Sequence, residues 1–224
     1  MVTKRVAIPS SRQPKDYLLC NECEQLFCRN GEDYAMRQVH NGKNFPLLET
    51  IRRSLPIERG ADSETYALAA IPSLDTAALA YYAVSVFWRA SVHVWRLGDS
   101  NTISIDLGPY EELIRQYLLG QCAFPDTVAL GMFVGTDSSS QNSLSPPTAG
   151  DRRMFGCIIY HFNARGLSFL LFVGKQMPEY FRLGCFVKSE YKLVVATSLE
   201  YKLQEALSRL FKTHTKPFQL PRRF

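Results

Sequence analysis

The chain has 224 residues, 46% of them hydrophobic and 12% aromatic, so it can bury a sizeable core and does not have the composition of a disordered protein. Its formal net charge of +5 permits an anionic partner, although a solvated basic surface gives the same value. The longest charge-free apolar run, residues 76–88, is shorter than the roughly 20 residues of a membrane span, and residues 1–14 contain no apolar signal-peptide core. We therefore predict a cytoplasmic protein without a membrane partner, whose cysteines are reduced.

The first part of the chain predicts helices. Residues 1–19 indicate a loop, and residues 20–40 predict a helical stretch that Asn30-Gly31 divides in two. Residues 64–71 favour a strand or a short helix. Apolar residues spaced three and four apart predict a short helix over residues 45–55, with one apolar face: Phe45, Leu48, Ile51 and Leu55.

The longest predicted helix covers residues 73–97. Ser73 is a good N-cap, Asp75 places a negative charge in the first turn, and Gly98 ends the helix. Residues 77–88 are apolar on nearly every side, which is typical of a helix in the centre of a core. A further helix is predicted over residues 108–119.

The second half of the chain predicts strands and a closing helix. Residues 137–151 indicate a surface loop, residues 163–166 a four-residue hairpin loop, and residues 198–212 a C-terminal helix. Short β-branched and aromatic runs predict the strands: 128–135, 154–162, 167–174, 184–187 and 193–197.

This segregation of helices and strands predicts an α+β fold. We expect a helical N-terminal half with a zinc-knuckle-like turn, then a small, mostly antiparallel sheet and a C-terminal helix. The helical region over residues 1–124 and the β-rich region over residues 125–224 are expected to form one compact unit.

The sharpest motif is Cys20-Asn21-Glu22-Cys23. Two cysteines two residues apart on a tight turn can direct both sulfur atoms at one tetrahedral ion. Because a structural zinc needs four ligands, we predict a zinc site that also uses the other local candidates, Cys28 and His40. The alternative is a pair of reduced cysteines at the start of a helix.

Arg89 is a candidate for an anion contact. With His93 and Arg96 it would line one side of a phosphate pocket. We favour the alternative, an ion pair with a carboxylate such as Glu24 or Glu32, which would join two helices. The basic tail adds candidate contacts to nucleic acid or to an acidic partner: Lys216, Arg222 and Arg223.

Three segments of the chain carry motifs that occur together in one family. Residues 17–27 read YLLCNECEQLF and are followed by Glu32-Asp33-Tyr34, residues 84–92 read VSVFWRASV, and residues 111–115 read EELIR. They resemble the LLCxxCE, WRAS and following helical motifs of a family of uncharacterised bacterial proteins, distantly related to HNH-endonuclease-type treble-clef zinc proteins. The resemblance covers roughly residues 12–120 and implies a zinc site of that type.

The sequence departs from that family upstream of Cys20. The related proteins carry a first Cys-x-x-Cys and a Ser-His before the second pair, whereas residues 1–19 contain no Cys and no His. Three interpretations stay open: the start is truncated, the site has been lost, or another chain supplies the missing ligands. His40-Asn41 only superficially matches the general base that such a nuclease requires.

The sequence contains no nucleophile elbow, phosphate-binding glycine loop or acidic metal cluster. We therefore favour a non-catalytic binding or accessory module that contacts nucleic acid or a partner protein. The alternative is an HNH-like, metal-dependent nuclease with an incomplete site. A third hypothesis is a subunit whose partner completes the site, for which bacterial multi-gene systems such as phage defence are the setting expected by analogy.

Overall fold

The computed structural model describes residues 18–97, 101–150 and 156–198, except 176, 178, 180, 181, 183 and 189–191. Its helices are α1 (Asn21–Phe27), α2 (Asp33–Gln38), α3 (Pro46–Arg52), α4 (Thr76–Val92), α5 (Tyr110–Leu118) and α6 (Ser138–Asn142). Its strands are β1 (Glu58–Arg59), β2 (Ser63–Ala67), β3 (Trp95–Leu97), β4 (Asn101–Ile103), β5 (Val128–Gly135), β6 (Leu144–Ala149), β7 (Ile158–Ala164), β8 (Leu167–Val173) and β9 (Leu193–Thr197). The predicted α+β class is confirmed.

One mixed sheet organises the described residues. Its seven strands lie in the order β1-β2-β9-β5-β8-β7-β6, and β3 and β4 form a separate two-stranded ribbon. The pairs are antiparallel except for β5 and β9, which run parallel. The mostly antiparallel sheet is thus confirmed, but it also recruits β1 and β2 from the helical half.

Strands β5 and β8 occupy the centre of the sheet and are buried on both faces. Because side chains alternate along a strand, one face of β5 carries Leu130 and Met132 and the other carries Ala129 and Phe133. The first face packs in the main core with α4, and the second belongs to a smaller cluster that includes Cys185. The main core therefore contains residues from both halves of the chain.

Helix α4 is buried in this core, as its all-round apolar sequence predicts. Leu79, Ala83, Val84 and Phe87 are each 0% exposed. It starts later than predicted, because the Asp75 carboxylate rather than Ser73 accepts the backbone N–H of Ala78, at 2.9 Å.

Helix α4 also ends before the predicted stop at Gly98. It ends at Val92, and His93 adopts extended backbone angles. Residues 95–97 then pair with residues 101–103 in the ribbon, where Trp95 lies opposite Ile103. The β-branched and aromatic residues that follow the helix favour this strand over another helical turn.

The segment that precedes α4 in the chain packs against it. A π turn over Cys28–Glu32 joins α1 to α2 without a break in the helical backbone, where the sequence predicted two separate helices. The predicted helix over residues 45–55 is shorter, because α3 ends at Arg52 and Leu55 is 85% exposed. Leu55 therefore does not share the buried face of Leu48 and Ile51.

Residues 137–149 are ordered, contrary to the predicted surface loop. Asp137 caps α6 by accepting the Ser140 N–H at 2.8 Å. Strand β6 follows at the edge of the described sheet and pairs with β7, with a register shift between Ser145 and Thr148. An edge strand with a bulge tolerates the Pro146-Pro147 pair, which cannot donate hydrogen bonds to a ladder.

The remaining strand predictions are largely confirmed. β5 and β9 have the predicted bounds, and β8 ends one residue earlier than predicted. Residues 184–187 do not form a strand but contribute one isolated bridge, Val187 with Leu130. The hairpin loop between β7 and β8 is shortened to Arg165-Gly166, both with positive φ, which is typical of a type I′ turn.

The predicted closing helix, beyond Ser198, lies outside the described residues. Among the residues that are described, no helix is long and apolar enough to cross a membrane.

Candidate functional site

Cys20 and Cys23 lie together at the start of α1, with Cys20 at its N-cap position. Hydrogen bonds from the backbone N–H and the thiol of Cys23 lower the pKa of the Cys20 thiol. The same thiol–thiol contact raises the pKa of Cys23, and its small burial adds to that effect. The two sulfur atoms are therefore placed as a pair, as the Cys-x-x-Cys spacing predicts.

The structure does not bring the other two predicted zinc ligands to this pair. The Cys28 thiol donates to Asp33 Oδ1 at 3.1 Å, and this hydrogen bond raises the pKa of Cys28. The His40 ring packs against Phe45 at 6.2 Å between ring centroids, and the His40 N–H donates to the Arg165 carbonyl. Within the described part of the chain, no three His, Cys, Asp or Glu side chains lie close enough together to hold a metal ion.

Arg89 forms the ion pair that was the alternative to an anion contact. Its Nη2 donates to Glu32 Oε1, and its Nε donates to the Ser85 carbonyl at 3.2 Å. Both charged side chains are about three-quarters buried, with 25% and 27% of their side-chain surface exposed. The pair joins the π turn to α4, so the predicted helix–helix ion pair is confirmed.

The other predicted anion-binding residues lie elsewhere. Arg96 is exposed on β3 rather than on the same helix as Arg89. His93 packs edge-on against Trp95, at 4.8 Å between centroids. The three basic residues of the tail are outside the described residues: Lys216, Arg222 and Arg223.

The π turn sits where the helical backbone comes closest to α4. Gly31 is buried, and a Cβ added there would lie 2.6 Å from the Tyr82 backbone nitrogen and 2.9 Å from the Ala78 carbonyl oxygen. Only glycine fits between two backbones at that separation. This contact places the segment from α1 to α2 firmly along the first turns of α4.

A groove with a volume of about 590 Å³ opens beside this contact. One wall comes from the π turn and α2, and the other from the first turns of α4 and the end of α5. We call it the tyrosine groove; the lining residues used below are Arg29, Asp33, Tyr34, Arg37, Asp75, Tyr81 and Tyr117.

Three side chains on one wall form a row of alternating charge. Arg29, Asp33 and Arg37 follow one another at intervals of four residues and all line the groove. In a regular α-helix, the side chains of residues eight apart point in directions that differ by about 80° around the helix axis. The π turn has more residues per turn, so it reduces this offset and directs both arginines to one face.

The two arginines of this row are exposed, and neither forms an ion pair with another described residue. The carboxylates beside them, Asp33 and Asp75, form no ion pair with either arginine in the described part of the chain. Asp33 accepts from the Cys28 thiol, and Asp75 accepts from the Ala78 N–H. The guanidinium groups of Arg29 and Arg37 are therefore available to an anion.

Three tyrosines surround this row, and their positions are fixed by contacts. The Tyr34 hydroxyl accepts the Asp75 N–H at 2.9 Å, and the Tyr81 hydroxyl donates to the Leu118 carbonyl at 2.7 Å. The Tyr117 ring lies 5.1 Å from Phe124 and 6.0 Å from Tyr81. A phenol is neutral near pH 7, and burial raises the pKa of all three further, so they do not repel an anion.

Local sequence patterns carry only a faint signal of this site. The spacing of Arg29, Asp33 and Arg37 is visible in the sequence as an i, i+4, i+8 row on a helix. Their alignment depends on the π turn, and the π turn coincides with the close approach of Gly31 to α4. That approach joins residues far apart in the chain, so local patterns do not reveal it.

Comparison with known proteins adds no assignment to this geometry: no family model, no curated protein and no solved structure matches the chain.

Proposed function

We propose that the protein is a non-catalytic binding module that contacts nucleic acid through the tyrosine groove. The observation that supports this function is the position of Arg29 and Arg37 beside neutral tyrosine rings, with no ion pair to any described residue. Arginines bind phosphates with charge-assisted hydrogen bonds, and tyrosine rings stack on unpaired bases. A groove that combines the two is typical of a single-stranded nucleic-acid site.

The position of α4 supports the same proposal. Its first turn lines the groove, and the positive end of a helix dipole attracts phosphate. The Asp75 carboxylate opposes this effect, because it caps the same turn. The arginines are therefore the main attraction for the backbone, and the helix end adds to it.

Removing both arginines should weaken binding to a single-stranded oligonucleotide. We expect Arg29→Gln combined with Arg37→Gln to raise Kd about tenfold at low salt, because two phosphate contacts are lost. The slope of log Kd against log salt concentration should fall by about 1.4, the value for two contacts to a single strand. Fluorescence anisotropy with a labelled oligonucleotide over a series of salt concentrations measures both quantities.

The matched control is Arg52→Gln combined with Arg53→Gln, which removes the same charge from exposed residues at the end of α3. We expect this pair to change Kd less than twofold. Equal weakening by the two pairs would show that net charge, not the groove, attracts the strand. No salt-dependent binding by the unaltered protein would contradict the nucleic-acid proposal and leave a partner protein as the alternative.

The zinc predicted at Cys20 and Cys23 fits this module only as a shared site. The described residues bring two thiols together, whereas a structural zinc needs four ligands. In the accessory-subunit hypothesis, a partner protein would supply the missing ligands. Phage-defence systems are the setting expected by analogy. The HNH-like nuclease has less support, because His40 packs on Phe45 away from the cysteine pair.

Elemental analysis of the purified chain tests this view of the metal. We expect less than one zinc per chain in the unaltered protein, because two thiolates leave two positions of the tetrahedron open. The variant Cys20→Ser with Cys23→Ser is the comparison, and it should remain folded because both side chains lie near the surface. A full zinc per chain that is lost in this variant would contradict a shared site and require ligands within this chain.

A further inference from the structure

The row of alternating charge in the tyrosine groove includes a negative charge, which a site that only binds the phosphate backbone does not need. A carboxylate, Asp33, lies between the two arginines on the same wall. Near a phosphate backbone this negative charge is repulsive. It becomes favourable only where the ligand presents hydrogen-bond donors to it, because a carboxylate is purely an acceptor.

We propose that Asp33 makes the tyrosine groove selective for an unpaired guanine, with Arg29 and Arg37 contacting the phosphates on either side. This inference rests on the proposed function, since it assigns a preferred base to the same site. Guanine is the base whose Watson–Crick edge presents two adjacent donors, N1–H and the exocyclic N2 amino group. A carboxylate can accept both in a bidentate pair, as it does with arginine.

The order of the side chains along the wall matches the groups of one nucleotide. Asp33 lies halfway between Arg29 and Arg37 in the chain, and the long arginine side chains can reach toward phosphates on either side of it. A nucleotide presents charge in the same order, with a phosphate, then the donor edge of the base, then the next phosphate. The half-buried Tyr34 and Tyr117 supply ring surface on which the base can stack.

The state of Asp33 in the structure is consistent with this role. Its Oδ1 accepts the Cys28 thiol, a weak donor, and no arginine or lysine among the described residues pairs with it. Each carboxylate oxygen has two lone pairs, so acceptor capacity remains for a base. A thymine or uracil would instead place carbonyl oxygens on both sides of its single N–H and be repelled.

A set of oligothymidines with a single central substitution tests the inference. One strand carries guanine at the centre, a second carries hypoxanthine, which lacks the N2 amino group, and a third carries thymine. We expect the guanine strand to bind about tenfold more tightly than the hypoxanthine strand, within the range of a good bidentate contact. The thymine strand should bind no better than the hypoxanthine strand.

The variant Asp33→Asn should reduce the ratio of guanine to hypoxanthine affinity to about one. Asparagine keeps an oxygen for the Cys28 thiol, so the local structure is preserved, and circular dichroism checks this. The control Glu24→Gln removes the same charge from an exposed position on α1, and it should leave the tenfold ratio intact. A ratio that persists in Asp33→Asn would overturn the role of Asp33.

Failure of this inference can be told apart from failure of the proposed function. If all three strands bind equally, and binding still depends on Arg29 and Arg37, the groove holds the backbone without base selection and the inference is overturned. If no strand binds, the nucleic-acid proposal itself fails.

Discussion

Replacing Gly31 with alanine is expected to lower the free energy of unfolding by about 3 kcal/mol, the upper range for overpacking a buried site. The added Cβ would lie 2.6 Å from the Tyr82 nitrogen and 2.9 Å from the Ala78 oxygen. Both are backbone atoms of α4, so no side chain can rotate away and the two helical segments must separate. In an exposed helix the same substitution would raise the free energy of unfolding by about 1 kcal/mol. At Gly31 we expect the opposite change.

Urea denaturation followed by far-UV circular dichroism measures this effect, with Gly131→Ala as the control. Gly131 is also buried, but its added Cβ would have Phe172 Cε2 at 3.4 Å and Leu170 Cβ at 3.6 Å as its nearest neighbours. These are side-chain atoms at ordinary contact distance, so we expect a change below about 1 kcal/mol. Equal stability of Gly31→Ala and the unaltered protein would show that the backbones are not in close contact.

Gly31→Ala should also affect binding in the tyrosine groove. The approach of Gly31 holds the π turn, and the π turn aligns Arg29 with Arg37. Separation of the two segments should therefore weaken oligonucleotide binding even under conditions in which the variant remains folded. Stability and binding are coupled at this position through one glycine, although Gly31 itself does not line the groove.

The sequence was most informative where a segment is largely buried and its apolar residues form a continuous run. Residues 128–135 and 193–197 are continuous apolar or β-branched runs, and both strands have the predicted bounds. Helix α4 was also recognisable, because few structures other than a core helix accommodate so long an apolar run. In these segments, local preference and tertiary burial favour the same structure.

The sequence was least informative where tertiary contacts decide the local structure. Helix α6 and strand β6 consist largely of Ser, Asn, Gln and Pro, which lack hydrophobic periodicity, and they depend on the Asp137 cap and on pairing with β7. Asn30-Gly31 indicated a break, whereas packing on α4 makes it a π turn. The Arg89–Glu32 pair was anticipated because complementary charges on two predicted helices limit the possibilities.

The predicted zinc site illustrates a different difficulty. Sequence spacing placed Cys20 and Cys23 together, because a two-residue separation leaves little conformational freedom. It could not place Cys28 or His40, whose positions depend on the π turn and on the turn between β7 and β8. Local spacing thus predicts a pair, whereas a complete ligand set is a property of the tertiary structure.

Replacing Phe162 with alanine is expected to destabilise the helical layer and the sheet together, by about 4 kcal/mol. Phe162 is 2% exposed on β7, and its ring centroid lies 5.0 Å from Phe87, 5.2 Å from Phe169 and 6.1 Å from Tyr82. Phe87 and Tyr82 belong to α4, so this aromatic cluster joins the two predicted regions of the chain. Truncation leaves a cavity between them that rigid neighbouring rings cannot fill.

Two spectroscopic signals also test whether the helical region and the β-rich region unfold together as one compact unit. Both tryptophans, Trp88 and Trp95, lie before β5, so their fluorescence reports on the helical region, whereas far-UV circular dichroism reports on all secondary structure. We expect both signals to shift together to lower urea concentration in Phe162→Ala. The control is His161→Ala, at the residue that precedes Phe162 and lies on the opposite face of β7. The His161 ring contacts Thr148, and its removal should lower the free energy of unfolding by less than about 1 kcal/mol. If tryptophan fluorescence kept its original midpoint while circular dichroism shifted, the helical region would be folding independently of the sheet.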